Sequence, residues 1–160
     1  MAEIYLKSGH VVLIDDNMID RVSYFNWNIK KDEKSFYVHA NIFIKNKYST
    51  ITIHRLIMGE PNAIIDHKNG NRLDNRMVNL RISTFSQNSM NRRMSIGSSK
   101  YKGVAYCKQK KKFVAYISYH KNRIHLGTFD NEINAAIAYN NAAIRIFGEF
   151  ACLNIIPPIN

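Results

Sequence analysis

Only two cysteines occur in the 160 residues, Cys107 and Cys152, and they form no Cys-x-x-Cys pair. A structural zinc site built on thiolates is therefore excluded, and a disulfide framework is not indicated. No run of 18 apolar residues is present, so no membrane span is expected. The first ten residues lack the apolar stretch of a secretory leader. These absences point to a reducing, intracellular setting. Acidic residues are missing from one long stretch. None lies between Asp74 and Asp130, while 12 of the 23 Lys and Arg fall there. A solvated surface mixes signs, so a one-sign segment is better explained by phosphate contacts.

What is present is enough for a folded protein with a polyanionic partner. Hydrophobic residues make up 46% of the chain, which supports a packed core rather than disorder, and the net charge is +11. The expected partner is a polyanion, with no membrane and no small-molecule cofactor.

The chain separates into three segments of α+β character. In residues 1–59, Ile4-Tyr5-Leu6 and Val11-Val12-Leu13-Ile14 flank Lys7-Ser8-Gly9-His10 as a hairpin. Met18, Ile19, Val22 and Phe25 then recur at helical steps. Phe36, Val38, Ala40, Ile42 and Ile44 share one parity, as do Ile51 and Ile53 beyond Lys45-Asn46-Lys47, so a second hairpin is expected. That reading puts His54 and Arg55 in an alternating strand. His10, His39 and His120 have no chemical company and are expected at the surface.

Residues 60–93 break both periods. Asp66-His67 precedes the turn-rich Lys68-Asn69-Gly70-Asn71, Leu80-Arg81-Ile82-Ser83 is a strand candidate, and Thr84-Phe85-Ser86-Gln87 fits a capping box for a helix carrying Asn88. The expected order is strand, loop, strand, helix. Residues 94–99 are small and polar and predict a flexible linker. Residues 100–156 begin with three short alternating runs and end in one helix, capped by Asp130 or Asn131 and stopped by Gly148. Its stripe of Ala135, Ala136, Tyr139, Ala142, Ala143 and Ile146 would pack it on one face of a small sheet and leave the other, basic face free.

Phosphodiester cleavage needs a base to deprotonate water, a cation to stabilise the leaving oxygen, and groups to orient both. If the two strands pair and the helix packs across them, Asp66, His67 and Asn88 converge. Asp66 and Asn88 then offer hard oxygen ligands to one divalent ion, and neutral His67 takes the proton. Asn is common here, 19 of 160, so the weight lies on the combination of Asp-His, the Asn-Gly turn, the spacings to Asn79 and Asn88, and the helix cap.

Asp66-His67-Lys68-Asn69-Gly70-Asn71-Arg72-Leu73-Asp74-Asn75, with Asn79-Leu80-Arg81, Gln87-Asn88 and the preceding His54-Arg55-Leu56-Ile57-Met58-Gly59, resembles the HNH endonucleases of the phage homing type, which have the ββα-metal fold. The resemblance implies His67 as general base and Asp66 and Asn88 as ligands of one Mg²⁺ or Mn²⁺. It further implies that Asn79 braces the loop and fixes the His67 ring. His54, with Arg55 beside it, is a candidate for a phosphate contact or a supporting role.

Ser99-Lys100-Tyr101-Lys102-Gly103-Val104, Phe113-Val114-Ala115-Tyr116-Ile117, His125-Leu126-Gly127-Thr128-Phe129, Ala135-Ala136-Ile137-Ala138-Tyr139 and Leu153-Asn154 resemble the apetala/ethylene-response-factor DNA-binding domain. That implies a three-stranded antiparallel sheet in the major groove with a helix behind it. Lys102, Tyr116, Ser118, Arg123 and His125 match DNA-contacting positions, while Lys108 and Lys110–Lys112 in the first turn suit phosphate. Ala105, Cys107, Tyr116, Ser118 and His125 depart from the plant pattern, so the plant target site does not transfer.

The expected protein is a site-directed endonuclease that nicks double-stranded DNA as a monomer. Its rival is a sequence-specific DNA-binding regulator with a silent HNH scaffold.

Overall fold

The computed structural model describes residues 1–32, 35–59, 61–92 and 97–158. The chain divides into two compact units, Met1–Phe85 and Ser86–Asn160.

The first unit opens with β1 (Ala2–Tyr5) and β2 (Val11–Ile14), an antiparallel hairpin in which Val12 and Ile14 are fully buried. A 3-10 turn at Asp16–Met18 leads into α1 (Ile19–Ser23), which buries Val22. Trp27 covers the end of that helix, its Nε1 donating to the Val22 carbonyl at 2.8 Å.

A meander of three antiparallel strands follows: β3 (Asn28–Asp32), β4 (Ser35–Ile44) and β5 (Lys47–Thr52), in that order across the sheet. The expected hairpin is β4–β5, and β3 is an addition. Its Asn-Ile-Lys-Lys-Asp sequence carries one apolar residue and gives no alternation to read.

The strand expected to run through Ile53 and His54 stops at Thr52, and Ile53–Ile57 is a short helix, α2. Ile53, Leu56 and Ile57 sit at helical spacing, and all three are buried in the core around Val12, Ile14, Val22 and Val38. The alternation of β5 runs into that helix and hides its start. His39 also differs from expectation. It is half-buried, and its Nδ1 is enclosed without a hydrogen-bond partner.

The unit ends with β6 (Ile64–His67) paired antiparallel to β7 (Leu80–Ser83), Asp66 opposite Arg81 and His67 opposite Leu80. Between them, the loop is sewn to β2: Leu13 N donates to Leu73 O, and Asn75 N donates to Leu13 O, both at 2.8 Å.

Helix α3 (Phe85–Met90) follows β7 directly, so the order strand, loop, strand, helix is present along the chain. Most of α3 falls in the second unit. Met90 packs beside Ile117, Tyr139 and Phe147, and Lys102 Nζ donates to the Met90 and Arg92 carbonyls. Of the expected linker, residues 94–96 lie outside the described residues. Its remainder is not loose: Ser99 is buried and accepts from Tyr101 N, and Ser98 accepts from Tyr106 N. Serine hydroxyls that cap local backbone groups read as flexible composition until the sheet is in place.

The rest of the unit is an antiparallel sheet ordered β10 (Asn122–Phe129), β9 (Lys112–Tyr119), β8 (Val104–Cys107), with α4 (Glu132–Phe147) packed on one face. Asn131 caps α4, accepting from Asn134 N at 2.8 Å, and the helix ends at Gly148 with φ 54°. Ala135, Ala136, Ala142 and Ala143 are nearly or wholly inaccessible, so alanine brings the helix backbone close to the strands.

Candidate active site

Strand pairing places Asp66 and His67 at the end of β6, where both are buried, just before the turn Lys68–Gly70. The His67 ring is held by Asn75, a side chain with no exposed surface, through a 3.1 Å contact between Nε2 and Oδ1. The polarity of this contact follows from the other end of the amide. Asn75 Nδ2 donates to the Arg72 carbonyl at 3.1 Å, and a carbonyl only accepts. Oδ1 therefore faces the imidazole as an acceptor, and Nε2 must carry the hydrogen. In the neutral ring the lone pair then lies on Nδ1.

Asn79 uses its amide differently from expectation. Its Oδ1 accepts from Asn69 N and its Nδ2 donates to the Asp74 carbonyl at 2.7 Å. It braces the loop, while the ring belongs to Asn75. Asp74, almost fully buried, ties the same loop by pairing with Arg76 and accepting from Asn69 Nδ2. Arg76 beside it holds its carboxyl below the usual range.

Asp66 lies opposite Arg81, whose Nε and Nη2 both donate to Oδ2, at 2.9 and 2.7 Å. Both side chains are more than nine-tenths buried. A buried ion pair is tolerated only where the geometry and hydrogen bonding are as close as this. In the sequence Arg81 is a strand residue and part of the Asn79-Leu80-Arg81 motif, with nothing to pair it to Asp66.

His54, on α2, meets His67 edge to face with ring centroids 5.5 Å apart. Behind it stands Tyr37, 5.8 Å away, and the Arg72 guanidinium lies 4.2 Å over the Tyr37 ring. Four side chains from four places in the sequence thus form one row, Arg72, Tyr37, His54, His67. Burial, followed by the charges of His67, Arg55 and Arg72, pushes the His54 pKa down to about 3, and Thr52 Oγ1 meets its Nε2 at 3.3 Å. Burial also lowers His67, against the raising effect of Asn75, with Arg72 lowering it further and Asp66 and Asp74 raising it. Arg55 is structural here: Nη1 and Nη2 donate to the Pro61 and Ala63 carbonyls and hold the approach to β6.

Residues 53–90 match the HNH endonuclease family.

The match spans α2, β6, the braced loop, β7 and α3, and it supports an HNH nuclease domain in this part of the chain. At family level it points to a nuclease acting on DNA. No curated protein matches the chain. Asn88, the last residue expected at the HNH site, is exposed on α3 within the second unit. Among the described residues, no three of His, Cys, Asp and Glu gather as a ready-made metal cluster. No helix among them is long and apolar enough to cross a membrane.

In the second unit, β9 and β10 place Tyr116 opposite His125 and Ser118 opposite Arg123. The Arg123 guanidinium stacks 3.9 Å over Tyr116, and the Tyr116 and His125 rings are 5.3 Å apart. Phe113, Ala115 and Ile117 alternate with these residues and pack towards the core shared with α4. Lys108 and Lys112 are exposed at the β8–β9 turn, and Lys112 pairs with Asp130 at 2.9 Å. Lys102 does not join them. Its ammonium closes the carbonyl end of α3 and is partly withdrawn from water, which lowers its pKa.

Proposed function

We propose that this chain is a divalent-metal-dependent, site-directed DNA endonuclease of the homing HNH type, with its cleavage centre at His67. The observation that carries the reading is the tautomer imposed on a buried histidine inside the HNH segment. With Nε2–H committed to Asn75, Nδ1 is the nitrogen able to take a proton from water. Lowering of the ring's pKa keeps it unprotonated at neutral pH. Arg81 holds the Asp66 carboxylate in place through two hydrogen bonds to Oδ2.

The donors assigned to a cation, the Asp66 carboxylate and the Asn88 amide oxygen, are hard oxygens, which fit Mg²⁺ or Mn²⁺ and not a soft metal. A single carboxylate with an amide suits an ion that completes its shell with water and phosphate oxygens. When bound, such an ion would stabilise charge on the phosphate and on the leaving oxygen. Asn79 keeps the Lys68–Asp74 loop in shape. Residues 1–93 form the nuclease region in this reading.

Residues 100–156 act as the reader, resembling the apetala/ethylene-response-factor domain. Tyr116, Ser118, Arg123 and His125 would lie against the major groove, and Lys108 and Lys112 near phosphate. Tethering to such a reader raises the local concentration of a weakly selective nuclease at its site.

The test is a plasmid-cleavage assay with the full chain. Cleavage should appear with Mg²⁺ or Mn²⁺, stop in EDTA and return on metal addition. His67→Ala should lower the rate by roughly 10²–10⁴-fold, the range of general base catalysis, while duplex binding stays near that of the parent. Nicked circles are the product expected of a monomer. Tight, selective binding without cleavage under any divalent ion would instead favour a DNA-binding regulator.

A further inference from the structure

We propose that the tip of the β4–β5 hairpin is a second DNA-contacting element, a two-stranded ribbon that enters the groove of duplex flanking the cleavage site. The proposal rests on the reading of the substrate as duplex DNA but not on the assignment of His67. Pairing with β3 ends at His39, opposite Asn28, so from Ala40 to Ile44 strand β4 is paired only with β5, along the register Ala40–Ile51 to Ile44–Lys47. The root of this arm is anchored, since Ala40 and Ile51 are buried and Ile42 is half-buried against the core. Every residue from Phe43 to Thr50 is exposed.

An arm of that kind is marginal in water by itself, and its surface is unusual. Phe43 and Tyr48 lie directly opposite one another, 60% and 87% exposed, with ring centroids 4.9 Å apart. Asn41 and Thr50, also opposite, extend the same face with hydrogen-bonding groups. The turn carries Lys45 and Asn46 at φ 48° and 57°, with Lys47 following. Glycine is the favoured residue for such a turn, so a lysine there accepts a conformational cost to place charge at the tip. No Asp or Glu occurs from Ser35 to Gly59.

Two lysines at the tip, amide and hydroxyl groups along one face and an aromatic pair between them suit a partner with phosphates on its rims and base edges inside. An apolar protein surface would leave the ammonium groups without counter-charges. A two-stranded antiparallel ribbon fits the major groove, which is about 12 Å wide.

Anisotropy titrations of the full chain with duplex DNA, in EDTA and over a salt series, test this. The variants are Lys45→Gln/Lys47→Gln and Phe43→Ser/Tyr48→Ser, whose positions lie outside the core. The lysine pair should lower the slope of log K against log salt by roughly 1.8, about 0.9 for each lost phosphate contact. Both variants should lose one block of hydroxyl-radical protection while retaining plasmid nicking. Parent-like slope and footprint in both variants would overturn the ribbon alone. A parent chain that fails to bind duplex would overturn the DNA reading with it. Variants that change only the oligomeric state would assign the arm to a second copy of the chain.

Discussion

Asn75 and His67 are joined side chain to side chain inside the first unit, amide oxygen to imidazole Nε2 at 3.1 Å, with the amide itself pinned by the Arg72 carbonyl. This one contact determines which nitrogen of the neutral ring carries the hydrogen. Replacing Asn75 by Leu should release the ring without adding charge. Cleavage should fall by about 10–100-fold in kcat, as for other groups that orient a catalytic ligand, with KM much less affected. Nitrogen NMR of the neutral His67 ring should report the Nε2–H tautomer in the parent and a mixture in the variant. An unchanged tautomer in the variant would remove Asn75 from this role.

Both buried histidines predict acid sensitivity of the fold. Their pKa values are lowered in the folded state, His54 to about 3 from an ordinary 6.5. Below pH 6.5 the unfolded chain takes up protons that the folded chain refuses, so stability falls as pH drops through this window, continuing towards pH 3 for His54. Melting temperatures should decline between pH 7 and 5, and His54→Gln should flatten the decline. A profile level from pH 7 to 5 in the parent would contradict the burial of these rings.

With His67 as the proposed base, the same shift should set the acid side of the pH profile of cleavage. A base must be unprotonated to act, and the lowered pKa of His67 keeps it so below the ordinary range. The acid limb of kcat/KM should therefore have its midpoint below 6.5. A midpoint at or above that value would mean that another group limits the reaction.

Arg81 and Asp66 form a pair that neither partner can leave safely. Arg81→Met strands a buried carboxylate, a change that costs about 3–5 kcal/mol. Urea unfolding of the variant should show the loss, and Arg81→Lys should recover part of it. A loss below about 1 kcal/mol would show that the pair is far better hydrated than its burial implies.

Gly103 tests the second unit. Its φ is +75°, and a Cβ there would lie 2.0 Å from Tyr139 Cδ2 and 2.6 Å from the Tyr116 carbonyl oxygen. Gly103→Ala should destabilise by roughly 2–4 kcal/mol, adding overpacking of about 1–3 to about 1 for the left-handed backbone. It should also disturb duplex binding, because Tyr116 carries Arg123 on its ring. Parent-like stability would mean that the sheet and α4 move apart easily.

Much of the arrangement was readable because period and punctuation are local. Val12 and Ile14 announced β2, the alanine stripe announced α4, and Asp66-His67 before an Asn-Gly turn announced a strand end leading into a loop. His54 was misread as a strand residue because β5 alternation runs up to Thr52, and only the burial of Ile53, Leu56 and Ile57 together reveals the helix. Lys102 was grouped with the other basic residues, yet the carbonyl end of α3 claims it. Charge alone cannot distinguish a phosphate contact from a cap.

The sequence by itself determined the kinds of group available: one Asp-His pair, a chain of asparagines, an acid-free basic stretch and a helix built of small residues. Only the tertiary structure decided which asparagine holds the imidazole, that Arg81 pairs with Asp66, and that Arg72, Tyr37 and His54 line up behind His67. Residues far apart in the chain meet through strand pairing and core packing. Burial then gives those meetings their effect, because a hydrogen bond or a charge counts for most where water cannot replace it.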